Sequence, residues 1–302
     1  MVADHAEATR IGGVMNVVTQ VFLPVSLAII MLSLGLALVV DDFKRVVAAP
    51  KAFLIGAFGQ MAMLPALAWL LVLVWPMAPA LKVGAIILAA CPSGATSNLL
   101  THLAKGDTAL AVSLTAVISV VSVFTMPVIV SLAIVQFMDV ASAPAISVTQ
   151  TIAGVFLVTN LPVAVGMAIR HFAPALALKL ETPMRHIASV LFVLIVGGAV
   201  YSERANILGY FAESGLAMLS LNLTVMAGAW LLASITRLDD RQRTAIVIEC
   251  GLQNGTLAIF VAATLLGNTT MMVPGGIYSL IMFFTAGIFM YLVLRRPSPT
   301  RR

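Results

Sequence analysis

Charged side chains are scarce in this chain, since Asp, Glu, Lys and Arg together make up 10% of its 302 residues. A soluble globular domain carries about 25% charged residues, so the composition excludes an ordinary water-soluble fold. Hydrophobic residues reach 61%, and the mean hydropathy is +1.08. The chain is therefore expected to be an integral membrane protein.

Cysteine is also scarce, with only Cys91 and Cys250 present. Both lie inside apolar stretches, so neither a disulfide framework nor a metal cluster can be built from them. We expect both to be small, buried packing residues.

The N-terminal 19 residues lack a basic leader and a small-residue cleavage site, and they carry Asp4, Glu7 and Arg10. No secretory signal peptide is predicted for such a stretch. Residues 1–19 are instead expected to form an external N-terminal segment.

Apolar runs of about 20 residues are long enough to cross a bilayer as helices. They predict an all-α membrane protein with nine transmembrane helices and a membrane domain over residues 20–294. The predicted spans are residues 20–40, 52–75, 84–103, 108–137, 146–169, 186–202, 211–235, 244–266 and 273–294. An odd number of spans places the two termini on opposite sides of the membrane.

The basic residues sort to one face of this topology. Of the 17 Lys and Arg residues, all but Arg10, Lys82 and Arg204 fall on the connections or tail of one side. The positive-inside rule makes that side cytoplasmic, with the N-terminus outside and the C-terminus inside. Residues 295–302 then form a basic cytoplasmic tail near lipid headgroups, and the net charge of +5 requires no nucleic acid as a partner.

Two polar, helix-breaking stretches, residues 91–98 and 249–256, interrupt apolar spans in the two halves of the chain. Unwound backbone is tolerated at membrane depth only where it lines a cavity or binds an ion, and paired breaks of this kind are typical of transporters. A linker over residues 139–145 separates the halves 20–137 and 146–294. The breaks correspond if the first half lacks an initial helix, which predicts an inverted repeat of four plus five spans with two discontinuous crossing helices.

Polar side chains share one layer in the cytoplasmic half of the predicted spans. The helical rise places Glu249 and Asn98 roughly 7 to 8 Å deep, Thr115 roughly 10 Å, Gln60 roughly 12 Å and Gln253 roughly 13 Å. Glu249 is the only carboxylate well within a span, and such a group costs several kcal/mol unless it is compensated. With no Lys or Arg at its depth, Glu249 is expected to bind a cation or to hold a proton.

Neutral oxygen donors lie at a depth similar to that of Glu249 and suit a hard monovalent cation such as sodium. They come from Gln60, Ser97, Asn98, Thr115 and Gln253. Taken singly, Thr115 and Gln60 are also explained as hydrogen-bonding contacts between helices. An enzyme is not predicted. Ser93 stands in a turn that resembles a nucleophile turn only superficially, because no His or Asp is placed to activate it.

At these residues the chain resembles the bile acid:sodium symporter family, from about Leu23 to about Tyr291. The resemblance rests on Gln60 five residues before Pro65, on the stretch Cys91-Pro92-Ser93-Gly94-Ala95-Thr96-Ser97-Asn98 with the following Leu103-Ala104-Lys105-Gly106-Asp107, on Ile248-Glu249-Cys250-Gly251-Leu252-Gln253-Asn254, and on Val273-Pro274-Gly275. The resemblance implies a core domain, a panel domain and sodium-coupled import of organic anions. With nine predicted spans, the chain resembles the nine-span animal bile acid carriers; bacterial relatives have ten spans.

Carried over by position, the resemblance implies two sodium sites. The first uses Ser97, Asn98, Thr115 and Glu249. The second uses Gln60, Glu249 and Gln253 with the backbone carbonyls of Cys250 and Leu252. Asn254, Thr96 and the helix N-termini at the crossing are expected to contact the anion, because helix N-termini attract negative charge.

The chain departs from the family pattern at two places. A hydroxyl expected one turn before Thr115 is replaced by Ala111, with Ser113 as the nearest substitute. The last span has Met282, Phe283 and Phe284 where bile-acid-binding bacterial relatives have polar residues, which argues against bile acid itself as the solute.

The predicted function is secondary active uptake of a small organic anion, bile-acid-like or a carboxylate, coupled to sodium by alternating access. The alternatives are a proton-coupled organic anion transporter and a non-transporting membrane sensor. The expected location is the plasma membrane, as a bacterial inner membrane protein. The sequence leaves the solute, the sodium stoichiometry and the oligomeric state open.

Overall fold

A computed structural model describes residues 18–42, 50–139, 144 and 147–295. The backbone in these ranges is helical apart from turns, extended connections and one isolated β-bridge. In chain order the helices are α1 (Leu23–Ala37), α2 (Pro50–Val74), α3 (Pro79–Ala90), α4 (Ala95–Leu103), α5 (Thr108–Phe137), α6 (Val148–Phe172), α7 (Pro174–Ser202), α8 (Ile207–Ile235), α9 (Asp240–Gly251), α10 (Gly255–Leu265) and α11 (Val273–Leu294).

Seven helical segments in the described ranges are long and apolar enough to cross a membrane: those of α1, α2, α5, α6, α7, α8 and α11. The prediction of an all-α membrane protein is confirmed. Two pairs of shorter helices, α3 with α4 and α9 with α10, occupy the predicted third and eighth spans. The total of nine spans stays a prediction, because it counts each short pair as one crossing.

The predicted span limits hold well where a helix is uniformly apolar and less well where charges enter it. Helix α5 covers the predicted residues 108–137. Helix α7 begins at Pro174, whereas the predicted span begins at residue 186. The first turns of the helix carry charged residues, so they do not belong to an apolar run. Glu181 pairs with Arg170 of α6 at 3.6 Å and with Arg185 of α7 at 2.6 Å, so this carboxylate is compensated within the structure.

Helices α1, α6 and α7 pack against one another, whereas α8 packs along α9 and α11, and α3 along α5. Glycines allow α1 and α6 to approach closely, since a Cβ atom on Gly35 would overlap the carbonyl of Val163 and one on Gly166 would overlap that of Leu32. Small residues at helix contacts are usual in membrane proteins. Helices α7 and α11 meet through Phe192 and Phe283, with ring centroids 5.7 Å apart.

Two of the connections predicted on one face meet. The Asp107 amide, before α5, donates to the carbonyl of Arg241, in α9, at 2.9 Å. Asp107 caps α5 and Asp239 caps α9 with their side chains. Toward the opposite ends, Ala78 donates its amide to Glu213 of α8. Predictions for residues 1–17, 43–49, 140–143, 145–146 and 296–302, which include most of the N-terminal segment, the linker and the basic tail, lie outside the described residues.

Candidate cation site

Both predicted breaks are present, and they contact each other. Helix α3 ends at Ala90 and α4 begins at Ala95, while α9 ends at Gly251 and α10 begins at Gly255. Ser93 and Gln253 form an antiparallel bridge, and the Asn254 amide donates to the Pro92 carbonyl at 2.8 Å. Proline interrupts the first span because it lacks an N–H and disfavours helix at the residue before it.

Glu249, near the end of α9, has a fully buried side chain at 0% exposure. Its Oε2 lies 2.6 Å from Ser93 Oγ and 2.8 Å from Thr115 Oγ1. Its Oε1 accepts from Ser97 Oγ. Hydrogen bonds to an ionised acceptor are stronger than neutral ones, so three hydroxyl groups compensate this carboxylate.

Asn98 joins the same cluster through Thr115, since its Oδ1 lies 3.3 Å from Thr115 Oγ1. Ser93 Oγ lies 3.1 Å from the same hydroxyl. The structure therefore brings the residues expected at the first sodium site, Ser97, Asn98, Thr115 and Glu249, into one set of contacts. We call these four residues with Ser93 the hydroxyl cluster.

Ser93 is a residue whose role in the cluster sequence reasoning missed. The sequence pattern around Ser93 resembles a nucleophile turn, yet its hydroxyl contacts the carboxylate directly. The available signal was its position within the first break, residues 91–98. Ser113, the expected substitute for the hydroxyl missing at Ala111, points elsewhere: its Oγ lies 2.6 Å from the Asp42 carbonyl and 2.8 Å from that of Ala109.

Gln60 and Gln253 carry buried amide atoms with no protein partner: Oε1 and Nε2 of Gln60, and Oε1 of Gln253. Gln60 lies in a π turn of α2, Gly59–Met63, and a Cβ atom on Gly59 would be 2.9 Å from Cys250 Sγ. The turn therefore packs against the end of α9. Gln253 Nε2 donates to the Cys250 carbonyl at 2.9 Å. We call Gln60 and Gln253 the amide pair.

Unpartnered buried polar atoms are rare and destabilising, so the free oxygens of the amide pair are candidate ligands for a hard cation. The family resemblance implies a second sodium site that contains both residues, together with Glu249 and the carbonyls of Cys250 and Leu252. The contacts of Glu249 described above all involve the hydroxyl cluster. Its share in a second site stays a prediction, as do the roles of the two carbonyls.

Asn254 and Thr96, expected to contact substrate, stand at the starts of the two inner half-helices. Asn254 Oδ1 caps α10 by accepting from the Leu257 amide at 3.0 Å and lies 2.8 Å from Thr256 Oγ1. Thr96 is half-buried in the first turn of α4. Substrate contact by either residue stays a prediction.

A cavity of about 240 Å³ lies between α1, α5 and α6. Its lining is almost wholly apolar, with Ser119 and Asn160 as the polar residues. Ser119 Oγ donates to the Thr115 carbonyl at 2.6 Å, so the cavity wall lies one helical turn from the hydroxyl cluster. Asn160 Oδ1 has no protein partner.

Crossed, broken helices around a buried carboxylate are the arrangement of a membrane transporter. A sequence profile of the Sodium Bile acid symporter family matches residues 24–210, which is more than half of the chain. The chain therefore belongs to this family of sodium-coupled transporters and is not an enzyme.

Two relatives illustrate the range of the family. The uncharacterized sodium-dependent transporter YocS of Bacillus subtilis (strain 168) is 29% identical over 263 residues, covering 85% of this chain and 78% of the relative. The probable sodium/metabolite cotransporter BASS1, chloroplastic, of Arabidopsis thaliana is 27% identical over 288 residues, covering 94% of this chain and 69% of the relative. Membership in the family implies sodium as the coupling ion, a small-molecule substrate and a membrane environment.

Proposed function

We propose that this chain imports a small organic anion together with sodium by alternating access. The observation that carries the proposal is Glu249, a carboxylate at 0% exposure between crossed broken helices, held by hydroxyl groups. A buried charge needs compensation, and neutral oxygen groups stabilise a cation beside a carboxylate well.

Two cation sites are proposed at the crossing. The first consists of Ser97, Asn98, Thr115 and Glu249, to which we add Ser93 because its hydroxyl contacts the carboxylate. The second consists of Gln60, Gln253 and Glu249 with the carbonyls of Cys250 and Leu252, supported by the unpartnered oxygens of the amide pair.

The organic anion is proposed to bind with its charge at the crossing and its apolar part toward the cavity. The N-termini of α4 and α10, with Thr96 and Asn254, attract the negative group. The apolar lining suits a hydrocarbon body. At about 240 Å³ the cavity lies below the roughly 300 to 1,000 Å³ of typical ligand pockets, which favours a small carboxylate over a steroid.

The proposed architecture is an inverted repeat of four plus five spans with a panel domain of α1, α6 and α7 and a core domain of the remaining helices. The packing of α1 with α6 and α7 supports this division. We further propose that the protein resides in a bacterial inner membrane, with its N-terminus outside and its C-terminus in the cytoplasm. Cysteines introduced at positions 8 and 299 should then label from opposite faces, and labelling from the same face would contradict the nine-span topology.

A thermal-unfolding screen of the purified protein tests the function. Sodium chloride should raise the unfolding temperature relative to choline chloride, and particular organic acids should add to that rise only in sodium. Acids found in this way should then enter proteoliposomes along a sodium gradient. Uptake driven by a proton gradient without sodium would instead support proton coupling through Glu249, and ligand binding without flux would support a membrane sensor.

A further inference from the structure

The carbonyl of Gly251, the last residue of α9, is held by two side chains from other helices. Asn222 of α8 donates through Nδ2 at 2.8 Å, and Tyr278 of α11 donates through its hydroxyl at 3.0 Å. Both side chains are fully buried, at 0% exposure.

These donors replace a hydrogen bond that the second break removes. In an uninterrupted helix the Gly251 carbonyl would accept from the Gly255 amide, but that amide donates to the Gln253 carbonyl at 3.0 Å. A buried carbonyl left without a partner is destabilising. A carbonyl oxygen has two lone pairs, so two donors fully satisfy it.

These two hydrogen bonds give the Gly251 carbonyl a different role from the carbonyls on either side of it in the chain. With both lone pairs engaged, the Gly251 oxygen is not available to a cation. The second sodium site proposed above uses the carbonyls of Cys250 and Leu252, on either side. Fixing the middle carbonyl restricts the rotation of both adjacent peptide groups, and it therefore sets where the flanking oxygens stand.

Helix α8 also contacts the elements that carry the amide pair. A Cβ atom on Gly251 would lie 2.7 Å from Met226 Cγ, one turn after Asn222, and one on Gly228 would lie 3.1 Å from Met63 Sδ, at the end of the π turn. Asn222 Oδ1 is buried without a protein partner, as are the oxygens of the amide pair. Asn222 thus contacts the end of α9, two residues before Gln253.

We propose that Asn222 and Tyr278 are positioning residues of the second cation site. They hold the Gly251 carbonyl and so maintain the spacing of the oxygens of Cys250, Leu252 and Gln253. The inference rests on the proposed sodium coupling and adds two residues, on α8 and α11, that the expected ligand set does not contain.

The test measures the sodium concentration that gives half of the maximal thermal stabilisation of the purified full chain, with choline chloride keeping ionic strength constant. Tyr278→Phe keeps the ring and removes one hydrogen bond, so it should raise that concentration about two- to tenfold. Asn222→Leu should raise it at least as much. Thr285→Val is the matched control, because the Thr285 hydroxyl contacts only carbonyls of its own helix, at 3.1 and 3.3 Å, two turns after Tyr278; it should leave the concentration unchanged.

A purely structural role predicts a different pattern. Tyr278→Phe would then lower the unfolding temperature without sodium while the half-maximal sodium concentration stayed at the wild-type value, and that result would overturn the inference while leaving sodium coupling intact. A wild-type chain that shows no response to sodium would instead overturn the proposed function. If Asn222→Leu fails to fold, the Tyr278→Phe result decides.

Discussion

The two breaks in this chain present different polar groups. Around the first break, hydroxyl groups of Ser93, Ser97 and Thr115 contact Glu249. Beside the second break, the amide pair retains buried oxygens without protein partners. A hydroxyl both donates and accepts, so it can satisfy a carboxylate and also ligate a cation, whereas an amide oxygen only accepts.

The difference implies that the two proposed sites respond differently to a cation. At the hydroxyl cluster a cation competes with hydrogen bonds that already stabilise Glu249, and the hydroxyl protons must turn away. At the amide pair a cation satisfies acceptors that otherwise remain unpaired. Substitution of Glu249, which both proposed sites share, should remove the response to sodium, while substitutions in the hydroxyl cluster or the amide pair should reduce it.

The largest effect is expected for Glu249→Gln, which keeps the shape of the side chain and removes its charge. Both proposed sites share this residue, so sodium-dependent stabilisation and sodium-driven uptake should both be lost while folded protein remains in the membrane. Glu249→Ala should behave in the same way. Glu181→Gln, at the ion-paired start of α7, is the control and should retain both activities. Unchanged sodium dependence in Glu249→Gln would refute the coupling mechanism.

A smaller but strong effect is expected from the hydroxyl cluster. Thr115→Val and Ser93→Ala each remove a hydroxyl oxygen that is proposed as a ligand of the first cation. Each should raise the half-maximal sodium concentration about tenfold or more in the thermal-unfolding assay. Ser113→Ala is the control, because that hydroxyl contacts only backbone carbonyls. A Ser93→Ala chain indistinguishable from wild type would remove Ser93 from the cluster.

Substitution in the amide pair should weaken one site and spare the other. Gln253→Ala removes a neutral oxygen, which contributes less than a carboxylate, so the sodium requirement should rise by only a few fold. The sodium dependence should also become less cooperative, as expected when one of two sites is lost. A Gln253→Ala effect as complete as that of Glu249→Gln would show that the two breaks form one indivisible site.

The smallest effect on sodium is expected at the cavity. Asn160→Leu removes the unpartnered Oδ1 of a residue that belongs to neither proposed cation site, so the half-maximal sodium concentration should stay at the wild-type value. The apparent affinity for a transported acid with a hydrogen-bond donor should fall about two- to tenfold, measured as the acid concentration for half-maximal uptake. Equal affinity in both proteins would separate this cavity from the substrate path.

The sequence was informative where a strong local signal coincided with the structure. Apolar length predicted α5 over residues 108–137, and polar helix-breaking residues within apolar runs predicted both breaks. Glu249 and Thr115 could be placed near each other because helical rise converts sequence position into depth. The charged start of α7 was missed because compensation of Glu181 by two arginines depends on the fold.

Two further features depend on geometry that sequence patterns do not encode. The π turns that carry Gln60 and Asn160 close with the amides of Leu64 and Leu161 donating five residues back, just before Pro65 and Pro162. Proline removes an amide donor from a helix. Because this loss can also end or kink a helix, a proline in the sequence does not by itself predict a π turn. The contacts of Ser93, Asn222 and Tyr278 join elements distant in sequence, so only the packed structure shows them.

Equilibrium binding of ²²Na⁺ to the purified protein tests the central claim most directly, with wild type and Glu249→Gln measured side by side. The two proposed sites, which share Glu249, predict saturable binding of two ions per wild-type chain and no saturable binding in the variant. Saturable binding in Glu249→Gln with wild-type affinity and stoichiometry would contradict the assignment of Glu249 to the sodium sites.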